Sequence, residues 1–159
     1  MPNRRHPPTG QSLIETVTAI VVIGILAGVA APKMLSTQNE CDVEATFQQL
    51  KTMTLALELY YDHHGQWPED AVRGVTPSGI DEFLRPSLFA QTPPIGGEYD
   101  YEPNKHGVTA AITVKSLPLS TAAELAEIDA RYDDGDRDTG AILRRTSSVD
   151  QQLVFLAVP

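Results

Sequence analysis

The stretch Gly10-Gln-Ser-Leu-Ile-Glu15-Thr-Val-Thr-Ala-Ile-Val-Val-Ile-Gly24-Ile-Leu-Ala-Gly-Val-Ala-Ala-Pro32 sets how the rest of this 159-residue chain is read. From Thr16 to Pro32 there is no charged side chain. A helix crossing hydrocarbon needs about 20 apolar residues. Leu13 to Leu35 supplies that length, interrupted mainly by Glu15 near one end and by Pro32 and Lys33 near the other. Arg4 and Arg5 precede the run, so the positive-inside bias places the first residues in the cytoplasm and the remainder outside the membrane.

Glu15 is the residue that an ordinary membrane anchor does not explain. A carboxylate inside a membrane helix costs about 2.5–3.5 kcal/mol and asks for a partner. It lies four residues beyond Gln11, roughly 6 Å along a helix. Cleavage after Gly10 would create an α-amino group at Gln11 with an unperturbed pKa of about 7.7–8.0, largely protonated near neutrality. That amine, in the same or a neighbouring subunit, can neutralise Glu15. A buried pair of this kind speaks for register more than for stability. A secretory signal peptide is the plainer alternative, since Gly28-Val-Ala-Ala31 loosely resembles a cleavage site. Glu15 at the front of the apolar run and Pro32 just after the supposed cut argue against it.

These residues together resemble the amino-terminal signature of type IV pilins and type II secretion pseudopilins. That pattern has a glycine before the cut, a glutamate five residues after it, and a glycine and a proline further along the helix. Here they are Gly10, Glu15, Gly24 and Pro32, in register. The departure is Gln11, where the family usually has phenylalanine. The resemblance implies cleavage at Gly10–Gln11 by a prepilin peptidase, methylation of the new terminus, and extraction from the bacterial inner membrane into a helical filament. The implied partners are other pilin or pseudopilin subunits, the peptidase and an inner-membrane assembly platform. Gly24 and Pro32 are expected to loosen the helix, through backbone entropy and a missing backbone donor.

The expected organisation is a leader over 1–10, a transmembrane and filament-core helix over 11–35, an amphipathic helix over 36–64, and a globular head over 65–159. Val43, Phe47, Leu50, Leu57 and Tyr60 recur at helical spacing and form one apolar stripe. Gly65 ends the helix and Pro68 prevents its resumption. Tyr60-Tyr-Asp-His-His-Gly65-Gln-Trp67-Pro68 is similar to the close of the long helix in pseudopilins. His63 and His64 read as surface residues. Further on, a short helical turn is expected at Asp81–Leu84, strands at Tyr99–Glu102 and Val108–Val114, and a final strand pair at Ala141–Arg145 and Leu153–Val158. Thr121-Ala-Ala-Glu124 reads as a capping box opening a helix to about Tyr132. The fold class is therefore α+β: a pilin-like long helix with a small antiparallel sheet packed on it.

The net charge of −9 argues against general nucleic-acid binding. Removing residues 1–10 takes away two arginines and no acid, leaving 10 basic against 21 acidic residues, or −11. Cys41 is the sole cysteine, so no internal disulfide forms. No nucleophile–base pair, phosphate loop or zinc spacing is legible, so an enzyme is not expected. Asp133-Asp134-Gly135-Asp136-Arg137-Asp138-Thr-Gly140 concentrates carboxylates, and Asp134, Asp136 and Asp138 alternate as Ca²⁺ ligands can. It is not an EF-hand, since its glycine is displaced and Arg145 stands where a distal glutamate belongs. The functional expectation is a structural subunit of a type II secretion pseudopilus or related filament. A surface pilin for adhesion, motility or DNA uptake, and a signal-anchored binding domain that never polymerises, are the alternatives.

Overall fold

The computed structural model describes residues 12–105, 107, 109–146 and 151–157, with backbone alone at 29–36, 151, 156 and 157. Gly10 and Gln11 lie outside the described residues, as does the side chain of Pro32. The chain divides into two compact units, with the boundary between Gln38 and Asn39. Helix α1, Leu13–His64, contributes to both.

In the first unit the large apolar side chains of α1 are bare. Leu13, Ile14, Val17, Ile20, Val21, Val22, Ile23, Ile25 and Leu26 are each 50–83 % exposed. Among the described residues no helix is long and apolar enough to cross a membrane. The expected span over 11–35 extends beyond them at Gln11 and through the side chains of 29–36.

In the second unit the same helix becomes amphipathic. Val43, Thr46, Leu50, Met53, Ala56 and Leu57 are buried, while Phe47 and Tyr60 are half-buried. This is the expected stripe, widened by Met53 and by Thr46, whose hydroxyl donates to the Asp42 carbonyl at 2.8 Å. Gly65 closes the helix with φ +70°, its N–H bonding to the Tyr61 carbonyl at 2.7 Å. A left-handed residue at this place costs glycine no Cβ clash. Trp67 then packs on Tyr61, with ring centroids 4.7 Å apart.

Two 3-10 turns, Ile80–Glu82 and Pro86–Leu88, follow. The first overlaps the expected turn at Asp81 and Glu82, and the second was not expected. Strands β1 (Glu98–Tyr101), β2 (Ala110–Leu117), β3 (Ile142–Thr146) and β4 (Gln151–Ala157) form one antiparallel sheet in the order β1-β2-β4-β3. Helix α2, Ala122–Tyr132, lies between β2 and β3 in the chain. One face of the sheet offers Tyr99, Tyr101, Ile112, Val114 and Leu153 to the core shared with Leu50, Met53, Leu57, Leu125 and Ile128. The other buries Ala111, Leu143 and Val154 in a smaller cluster. The sheet-on-helix arrangement of the head is the one expected.

Two local expectations are corrected. Thr121 does not cap α2 with its side chain: it is the last residue of a 3-10 turn, Leu119–Thr121, and its hydroxyl donates back to the Pro118 carbonyl at 2.7 Å. The hydroxyl takes the nearer carbonyl instead of the N–H three residues on. Strand β2 also runs past Val114. Lys115 remains in the strand because Asp100 and Glu102 stand beside it, at 2.7 and 2.6 Å. A register shift between Val114 and Leu117, with Ser116 at φ +59°, returns Leu117 to the core.

Candidate assembly surface and acidic loop

The first turn of α1 places Glu15. The Glu15 and Thr16 N–H groups both bond to the Ser12 carbonyl, at 3.0 and 3.2 Å. Thr18 satisfies its hydroxyl locally on the Ile14 carbonyl at 2.9 Å. A shallow surface is lined by Glu15, Thr18, Ala19, Val22 and Ile23, the spacing of one helix face. A carboxylate thus stands exposed at the edge of an apolar face. Gly24 is equally open: a Cβ added there would meet nothing within 4 Å.

The loop after α2 is ordered by its own carboxylates. Asp134 accepts from the Asp136 N–H at 2.8 Å and from the Thr139 hydroxyl at 2.7 Å. The Thr139 bond, then the Asp136 N–H, hold the Asp134 carboxyl below its ordinary value. Asp136 accepts from the Asp138 N–H at 3.1 Å, and Asp138 pairs with Arg145 at 2.9 Å. Asp133 accepts from the Ile142 N–H at 2.7 Å, and the Arg137 carbonyl accepts from the Arg144 N–H at 2.8 Å. The loop therefore occupies backbone donors along the outer edge of β3, a common way to protect an edge strand.

Asp134, Asp136 and Asp138 do not converge. Their oxygens are engaged along the loop and by Arg145. Among the described residues, the acidic side chains that converge are Asp129, Asp133 and Asp134, each with a ligand atom within 4.8 Å of the others. Asp129 is fully buried in α2. Its Oδ2 accepts from Arg144 Nε at 2.7 Å, while its buried Oδ1 has no hydrogen-bond partner among the described residues. A buried oxygen without a donor suits a hard cation. Sequence reading missed Asp129 because it lies inside a helix; its spacing of four from Asp133, across the helix end, was the available signal.

The second face of the sheet carries another charged cluster. Lys115 bridges Asp100 and Glu102, Thr113 donates to Glu102 at 2.7 Å, and Lys105 reaches Glu102 at 3.2 Å and Asp70 at 3.8 Å. Burial alone would lower the Lys115 pKa, but its bonds and attraction to Asp100 and Glu102 outweigh that and raise it. Every charge here has a partner, as a structural cluster requires.

No family model matches the chain. It is 27 % identical over 119 residues to the type IV major pilin protein PilE1 of Neisseria gonorrhoeae, covering 75 % of this chain and 55 % of that one. It is 24 % identical over 114 residues to type II secretion system core protein G of Klebsiella michiganensis, covering 65 % and 80 %. The chain thus spans about half the length of the first relative and most of the second. In structure it superposes on the major type IV pilin PilA1 from Clostridium difficile with a TM-score of 0.52 at 19 % identity, over 78 % of this chain and 99 % of that one. The long helix with its four-stranded antiparallel head is the fold of that pilin, and in sequence the chain is similar to type IV pilins and to type II secretion system core protein G.

Proposed function

We propose that the chain is a structural subunit of a type II secretion pseudopilus or a related type IV filament, made as a precursor and cleaved after Gly10. The observation that carries this reading is the row of nine bare apolar side chains between Leu13 and Leu26, interrupted by Glu15. Fully burying one such side chain is worth about 1.5–3 kcal/mol, so the row demands a cover. Before assembly that cover is the inner membrane, with the segment 11–35 spanning it and the head outside. After assembly it is the same segment of neighbouring copies. Glu15 then pairs with the Gln11 amine of a neighbour and selects one axial offset. Gly24 and Pro32 let the helix extend during the transfer. The prepilin peptidase and the assembly platform are the partners of these two steps.

Glu15→Ala should leave the precursor inserted and processed but reduce its incorporation into filaments that sediment. Normal incorporation kinetics would refute the register role. The similarity to PilE1 and the fold of PilA1 favour a second reading, a surface type IV pilin. Electron microscopy of surface fibres and a secretion assay on a deletion strain separate the two.

Asp129, Asp133 and Asp134 would hold Ca²⁺, which would supply the missing partner of Asp129 Oδ1 and tie α2 to the loop. Added Ca²⁺ should raise the melting temperature, and Asp133→Asn should abolish the rise; an unchanged melting curve across millimolar Ca²⁺ counts against the site.

A further inference from the structure

The chain carries 21 acidic against 12 basic residues, so a basic side chain has many carboxylates to choose from. Among the described residues every arginine but Arg85 has one within 4.0 Å: Arg73 pairs with Glu98, Arg131 with Glu127, Arg137 and Arg145 with Asp138, and Arg144 with Asp129. Of the lysines whose side chains are described, Lys105 and Lys115 are paired and Lys51 is not. Lys51 still shares its groove with Glu58. Arg85 lines a cleft to which no acid contributes. Neither Asp81 nor Glu82, on the turn before it, stands in ion-pair range.

That cleft, about 420 Å³, lies between Thr52 of α1 and the segment from Phe83 to Gln91. Its shape is fixed from beneath. Ile80, Leu84 and Phe89 are buried in the core. The Leu84 N–H bonds to the Ile80 carbonyl at 2.9 Å, the Leu88 N–H to the Arg85 carbonyl at 3.0 Å, and the Gln91 N–H to the Leu88 carbonyl at 3.2 Å. The half-buried Phe83 and Leu88 supply an apolar wall. Arg85, Ser87 and Gln91 are exposed along the same cleft. Thr52 spends its hydroxyl proton on the Gln48 carbonyl at 2.7 Å. The donors left for a ligand are the Arg85 guanidinium, the Ser87 hydroxyl and the Gln91 amide, whose side chains have no partner among the described residues.

We infer that this cleft binds a short segment of another protein in which a glutamate or aspartate stands beside an aliphatic or aromatic residue. The inference does not rest on the filament reading. Charge and shape choose the occupant. A guanidinium presents a planar fork that meets a carboxylate with two parallel bonds. One such fork with two neutral donors balances a single negative charge. A phosphate dianion would leave charge over, on a chain already in acidic excess. Phe83 and Leu88 border the same space, so the residue beside the carboxylate is apolar. Two copies of a chain with net charge −9 repel at range, which disfavours a second copy as the occupant. The carboxylate therefore arrives on a partner that is neutral or basic overall.

The test is fluorescence anisotropy with the full-length chain in detergent. The probe is a labelled, end-capped peptide with a central leucine–glutamate–phenylalanine run and one lysine, so that its net charge is zero. The control has glutamine for the glutamate and carries +1, which the acidic chain would favour by long-range attraction alone. The glutamate peptide should bind saturably, and the glutamine peptide about tenfold more weakly. Arg85→Gln should weaken the glutamate peptide by the same factor and leave the glutamine peptide unchanged, because both changes remove one contact. Arg85 is exposed, so the melting temperature should not move. Lys51→Gln should leave binding as it is. No binding, equal binding of the two peptides, or equal losses in Lys51→Gln and Arg85→Gln would each overturn the inference. So would an Arg85→Gln variant that sediments less while the wild-type chain ignores the peptide, since the occupant would then be a second copy. Whether the wild-type chain sediments at all is read separately and bears only on the filament reading.

Discussion

Helix α1 is one element with two regimes. Between Leu13 and Leu26 its large apolar side chains are bare, while from Val43 to Leu57 one apolar stripe, Val43, Leu50, Met53, Ala56 and Leu57, is buried in the core of the head. The difference lies in pattern more than in hydrophobicity. The second half alternates apolar residues with Glu44, Gln48, Lys51 and Glu58, so one stripe is buried and the other faces are wet. The first half is apolar all round, which no single sheet can cover. A helix of that kind needs lipid or several other helices. Folding completes the second half within the chain; in the proposed function, the membrane and then neighbouring copies complete the first.

That contrast predicts opposite consequences for the same substitution. Leu50→Ala removes a fully buried side chain and should cost the head about 2–5 kcal/mol. Leu26→Ala should leave the thermal unfolding of the head unchanged while weakening sedimentation of filaments. Equal loss of stability in the two variants would erase the distinction. A smaller effect sharpens the boundary of the self-contained half. Gly140 has φ +82°, and a Cβ there would lie 2.1 Å from the Asp133 carboxylate, itself fixed by the Ile142 N–H. Gly140→Ala should cost about 1–3 kcal/mol in chemical denaturation, and an unchanged midpoint would show that the loop is not part of the folded unit.

The smallest effect is confined to alkaline solution. Lys115 is raised by Asp100 and Glu102 against the effect of burial, and the hydroxyls of Tyr99 and Tyr101 are raised chiefly by burial. A raised folded pKa contributes stability that is complete below the unfolded value and lost as pH climbs through the folded one. The unfolded values are about 10 for tyrosine and about 10.4 for lysine. Melting temperatures should therefore be insensitive to these groups at neutrality and fall above about pH 10. Lys115→Gln should flatten part of that fall; an identical alkaline profile would show that the cluster contributes nothing differential.

The long helix, its end at Gly65 and the antiparallel head were legible because each leaves a local trace: an apolar run, a stripe at helical spacing, a glycine followed by a proline, short alternating segments. The misreadings came from places where a distant residue decides. Lys115 looked like the end of a strand until Asp100 and Glu102 were seen beside it. Thr121 had the spacing of a cap but spends its hydroxyl on Pro118. The alternating aspartates suggested ligands, yet alternation in a turn lets each carboxylate serve the backbone two residues on. Asp129, the acid left with a buried unpartnered oxygen, was concealed in a helix. The expected partner of Glu15, the Gln11 amine of the same or a neighbouring subunit, lies outside the described residues.

Amino-terminal sequencing of chains recovered from sedimented filaments tests the central claim most directly. Glu15 is to be neutralised by an amine that cleavage alone creates, so the first residue read should be Gln11. Filaments of normal yield whose subunits still begin at Met1 would contradict the account.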